Sequence, residues 1–141
     1  MVQARLMVRE GRVRLLAGVV ALVTIAAGML ARPLPVVGDA LGGIAYTLLL
    51  ALLVVLVWPA GRPWVAAALA TAVSFAVELL QLTRVPGRLT DLVPPLRWVL
   101  GSTFAWEDLL WYFAGGLVAI GVLALIRRVS RREPDGTGVH R

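Results

Sequence analysis

Residues 64–82 read WVAAALATAVSFAVELLQL, a stretch of 19 residues in which Glu78 carries the only charge. A window this long and this apolar reads as a membrane span. An ionisable side chain near the middle of a bilayer costs at least about 2.5 kcal/mol on insertion scales, and less near an interface. Glu78 is therefore expected to face protein, water or a partner rather than lipid.

The rest of the chain repeats the pattern. Of its 141 residues 60% are hydrophobic, and the mean hydropathy is +0.86. Soluble domains run at roughly 45–50% apolar residues. The excess is collected in long uninterrupted runs, so the expected fold is an all-α, polytopic membrane bundle with no large soluble domain. A first span is expected at about 15–31, read as an uncleaved anchor because its apolar run is long and no A-x-A site ends it. A second is expected at 38–58, the third at 64–82 and a fourth at 106–126. Pro-containing turns, RPLPVV at 32–37 and PAGRP at 59–63, separate the first three. Three regions result: a basic N-terminal segment at 1–14, a transmembrane domain at 15–126, and a basic tail at 127–141, expected to be disordered beyond Glu133.

The connection at 83–105 is longer. Its Pro86-Gly87 and Pro94-Pro95 pairs interrupt continuous helix. It also retains Leu92, Val93, Leu96, Trp98, Val99 and Leu100, so it reads as an ordered loop with a short interfacial helix near 96–100.

The formal charge is +6, from 14 basic and 8 acidic residues, and every basic residue is Arg. With both termini inside, ten arginines fall on the cytoplasmic side and four outside. That asymmetry predicts an N-in, C-in orientation. Arginines flanking apolar spans are explained by anionic lipid headgroups, so no nucleic-acid partner is expected despite a pI near 11.4. Cysteine is absent and the single histidine, His140, lies in the tail. No cofactor, metal site or catalytic residue is assigned.

In this orientation the embedded polar residues gather on the extracytoplasmic side. Thr71, Ser74, Glu78 and Gln81 recur at three- and four-residue steps and share a helix face. Asp108, Tyr112, Gly115 and Ala119 form a second such stripe, and Asp39, Gly43 and Tyr46 a third. Small residues in each stripe permit close helix approach. The three faces are expected to meet, with Arg84 and Arg88 in the outer loop beside them. The candidate ligand-binding residues are Asp39, Glu78, Gln81, Arg84, Arg88, Asp108 and Tyr112.

Gly38-Asp39, Glu78-x-x-Gln81 and Gly101-x-x-Phe104-x-x-x-Asp108-Leu109-x-x-Tyr112-x-x-Gly115 together resemble a family of small bacterial inner-membrane proteins, domain of unknown function 2809. The E-x-x-Q and later D-L also resemble, more distantly, the VanZ-like group. The resemblance covers about residues 14–121 and implies a helical protein of the bacterial plasma membrane with no settled activity.

Three functions compete at this point. The cluster can bind the headgroup of a membrane lipid or a lipid-linked envelope precursor, with arginines on phosphate and acids on sugar or amine groups. It can instead belong to a membrane-embedded hydrolase or transferase with Glu78 as general base; no His, Cys or motif-grade Ser nucleophile accompanies it. It can also be a brace within a structural or assembly protein of the envelope, where acids and arginines pair only with one another. The sequence assigns no oligomeric state.

Overall fold

The structure is a computed structural model that describes residues 2–34, 37–83, 85–96 and 104–131. Its helices are α1 (Val2–Ala31), α2 (Val37–Val57), α3 (Pro63–Gln81), α4 (Val85–Leu92) and α5 (Trp106–Arg131). A 3-10 turn, Pro94–Leu96, follows α4. No strand occurs among the described residues. Four helices are long and apolar enough to cross a membrane: α1 over Leu6–Ala31, and all of α2, α3 and α5.

Two helices run beyond the expected spans. α1 continues unbroken from Val2 through the basic segment at 1–14. Gln, Leu, Met, Arg and Glu are good helix formers and no proline interrupts them, so the helix extends beyond the apolar part. At the other end α5 continues past Ile126 to Arg131, the first residues of the basic tail. Glu133 and His140 lie outside the described residues.

The connection between α3 and α5 contains α4, a helix ahead of the one expected near 96–100. Pro86 is accommodated because it falls in the first turn, where the missing N–H has no helical partner to lose. Leu96 ends the 3-10 turn, and residues 97–100 lie outside the described residues. The same rule starts α3, where Pro63 follows Arg62 in extended backbone.

The spans pack as two central and two flanking helices. α2 and α5 form the most extensive pair; α1 and α3 each touch both. Among the described residues α1 and α3 do not meet. The core is made of small side chains: Ala17, Ala51, Ala66, Ala67, Ala70 and Ala119, with Leu52, Val55 and Leu123 between them. Large apolar residues point outward instead, among them Leu22, Leu30, Val57, Leu79 and Leu125. This inverted distribution suits a lipid surround, where close backbone packing rather than water exclusion holds helices together.

Glycines set how closely α2 and α5 approach. A Cβ on Gly43 would lie 2.7 Å from Trp111 Cβ, and one on Gly115 2.9 Å from the Ile44 carbonyl oxygen. Both distances are inside van der Waals contact, so only glycine allows this crossing. The close approach brings the ends of α3 and α5 around one carboxylate.

Candidate functional site

Glu78 is fully buried, with 0% of its surface exposed. It lies in the last turns of α3, facing the start of α5. Its Oε1 accepts a hydrogen bond from the backbone N–H of Ala105 at 2.7 Å. Its Oε2 accepts one from the Tyr112 hydroxyl at 3.0 Å. Ala105 immediately precedes α5, so the carboxylate sits at that helix's N-terminal end. Unpaired N–H groups and the positive end of the helix dipole both favour an anion there. A buried carboxylate without such partners would cost several kcal/mol, and hydrogen bonds to a charged group each return roughly 1.5–3 kcal/mol. Glu78 thus ties the end of α3 to the start of α5 through two turns of the latter.

Other acids surround this bond. Asp108, in the first turn of α5, is half-buried and within electrostatic reach of Glu78, Asp39 and Glu107. Asp39 opens α2 and is exposed, as is Glu107. Asp39, Asp108 and Glu107 all occupy first turns, where negative charge is favoured by the helix dipole. Tyr46 of α2 packs on Tyr112, with ring centroids 5.9 Å apart and planes tilted by 51°. Tyr112 is thereby held between an aromatic neighbour and the Glu78 carboxylate.

The three stripes seen in the sequence converge. Gly43 lies under Trp111 and Tyr112, and Gly115 against Ile44 and Thr47. Gly116 meets Thr71 of α3. One turn inward from Glu78 lies a second polar contact, Thr47 Oγ1 to Ser74 Oγ at 3.0 Å, both side chains fully buried. Ser74 has one hydroxyl proton and donates it to the Ala70 carbonyl. Thr47 is therefore the donor to Ser74. This pair links α2 to α3 just as Glu78 links α3 to α5.

Of the sequence-derived candidates, the structure brings Glu78, Tyr112, Asp108 and Asp39 together. Gln81 ends α3 one turn beyond Glu78 and is partly buried. Arg88 is on α4, exposed. Arg84 lies outside the described residues. The described partners of Glu78 are an amide and a phenol rather than guanidinium groups. Sequence reading missed Ala105, since a backbone donor has no side-chain signature. It also missed Thr47, although that residue sits four positions after Gly43, on the same face. Among the described residues no group of three or more His, Cys, Asp or Glu is arranged to hold a metal ion.

No curated protein and no solved structure matches the chain. The family described as "Protein of unknown function (DUF2809)" matches residues 34–116. That stretch runs from the turn before α2 into the first half of α5 and contains Asp39, Thr47, Ser74, Glu78, Asp108 and Tyr112. It spans more than half of the 141 residues, and the chain belongs to this family.

Proposed function

We propose that this is a multi-pass protein of the bacterial inner membrane that binds, without transforming, a polar headgroup at the Glu78 end. The headgroup belongs to a lipid or a lipid-linked envelope precursor. One observation carries the reading: the acids at this end divide into a buried brace and a more exposed set. Glu78 is sealed in and fully engaged, whereas Asp108 is half-buried and Asp39 exposed, close enough to interact. Glu78 and Tyr112 give the mouth a rigid wall. Asp39 and Asp108 accept hydrogen bonds from hydroxyl or amine groups of the ligand. Arg84 and Arg88, on the connection after α3, contact its phosphate. The ten-to-four arginine asymmetry supports an extracytoplasmic position for this mouth. The VanZ-like resemblance leans the same way.

A purely bracing role is the second reading, favoured by the complete burial of Glu78 and the engagement of both its oxygens. The same engagement counts against Glu78 as a general base, since a base needs a free oxygen within reach of substrate. Native mass spectrometry of detergent-extracted protein separates binding from bracing. Asp39→Asn with Asp108→Asn is expected to leave the fold intact and to abolish a co-purifying headgroup-bearing molecule. Retention of the same molecule by this double variant, or its absence from the unaltered protein, would leave only the brace.

A further inference from the structure

The opposite end of the bundle collects the start of α1, the end of α2, the start of α3 and the end of α5. A cleft of about 390 Å³ opens there, lined by Arg62, Pro63, Ala124, Arg127, Arg128 and Arg131. Four of these residues are arginine and none is acidic. Arg62 comes from the turn before α3. Arg127, Arg128 and Arg131 are spaced so that successive turns of α5 stack them along one side.

Arg127 is the anchored member. Its Nη2 donates to the Pro59 carbonyl at 2.9 Å, and its Nε is buried without a hydrogen-bond partner. Arg9 and Arg131 both lie within electrostatic reach of it. On its other side a smaller crevice of about 140 Å³ is lined by Arg9, Arg127 and one acid, Glu10. Among the described residues lining these two clefts, a single carboxylate faces five arginines. Like charges one turn apart repel, and guanidinium groups gathered in a cleft call for an anion between them.

The chemistry of that anion follows from the donors. The guanidinium fork matches phosphate oxygens two at a time, better than any other common anion except carboxylate. The cleft volume falls in the range of roughly 300–1,000 Å³ typical of small-ligand sites. Its position at the ends of two apolar spans is where lipid headgroups would stand. A second feature points to a lipid rather than a free ion. An apolar groove of about 390 Å³, lined by residues including Leu50, Leu53, Val57, Trp58, Leu69 and Val73, runs between α2 and α3. It reaches Val57 and Trp58, at the same end of the bundle, and offers room for an acyl chain.

We propose that Arg62, Arg127, Arg128 and Arg131 form a phosphate site that takes the headgroup of an anionic phospholipid. The site stands independently of the Glu78 end.

The test is a lipid titration of the full-length protein in neutral detergent, read by native mass spectrometry. Phosphatidylglycerol, phosphatidylcholine and inorganic phosphate are the probes. Arg62→Gln with Arg128→Gln removes two exposed members and spares the Arg127 anchor. Arg12→Gln with Arg14→Gln, exposed on α1, removes the same charge elsewhere at that end. The first pair is expected to weaken phosphatidylglycerol binding about tenfold, equivalent to ~1.4 kcal/mol, and the second less than about twofold. Phosphatidylcholine is expected to bind weakly to every form. Equal losses from both pairs would reduce the site to diffuse charge and overturn the proposal. Unchanged binding after the first pair would overturn it as well. Inorganic phosphate binding as tightly as phosphatidylglycerol would remove the lipid from the assignment.

Discussion

The two ends of the bundle handle charge in opposite ways. At the Glu78 end, a carboxylate is sealed between helices and both oxygens find donors within the chain. At the other end, arginines line an open cleft, and among the described residues only Arg127 of that cleft is tied to the protein, through the Pro59 carbonyl. A buried charge must be satisfied internally, because the alternative is an unpaired ion in low dielectric. An exposed cluster of one sign can be satisfied by what surrounds the protein. The first arrangement holds helices together and the second recruits something from outside.

The difference is tested most sharply by Glu78→Ala. It leaves the Ala105 N–H and the Tyr112 hydroxyl without their acceptor and opens a void. Stability is expected to fall by about 2–5 kcal/mol, from the two unsatisfied buried donors and the cavity. Thermal unfolding in detergent, followed by tryptophan fluorescence, measures it; a wild-type melting curve would remove Glu78 as the bond between α3 and α5. Tyr112→Phe deletes one hydrogen bond to the same charge, for a loss of about 1.5–3 kcal/mol. Its loss and that of Glu78→Gln should be non-additive in a double-mutant cycle, whereas additive losses would mean the two side chains act separately.

Gly115→Ala probes the close crossing rather than the charge. The added Cβ would meet the Ile44 carbonyl at 2.9 Å, and backbone yields less readily than a side chain. A loss of about 1–3 kcal/mol is expected, with the Glu78–Tyr112 contact loosened as α5 moves away. Ser74→Ala removes the inner contact with Thr47, and hydrogen bonds between apolar spans average only about 0.6 kcal/mol. A melting temperature within error of the unaltered protein would make that contact incidental. Arg62→Gln with Arg128→Gln is the smallest effect on folding, within about 0.5 kcal/mol. A large loss there would mean that the open end is braced internally after all, erasing the contrast between the ends.

Much of this was legible without coordinates. Trp64, Glu78 and Leu82 sit in a window whose length and apolarity can only be a long buried helix, and α3 covers Pro63–Gln81. The stripes Ser74–Glu78 and Asp108–Tyr112–Gly115 followed from helical period alone, and their small residues already implied contact. The hidden parts are those where distant backbone matters. Pro86 reads as a helix breaker until its place in the first turn of α4 is known. The Ala105 N–H has no letter in the sequence. The arginines at 62 and 127–131 read as interfacial anchors, because nothing local reveals that the turn before α3 folds against the end of α5.

The four apolar helices and the polarity at their ends can be read from the residues alone, because length, period and hydropathy are local properties. That Glu78 meets Tyr112 and the start of α5, and that four arginines share one cleft, is visible only once the helices have packed. Those facts depend on how closely α2 and α5 cross at Gly43 and Gly115, a distance that no local pattern encodes.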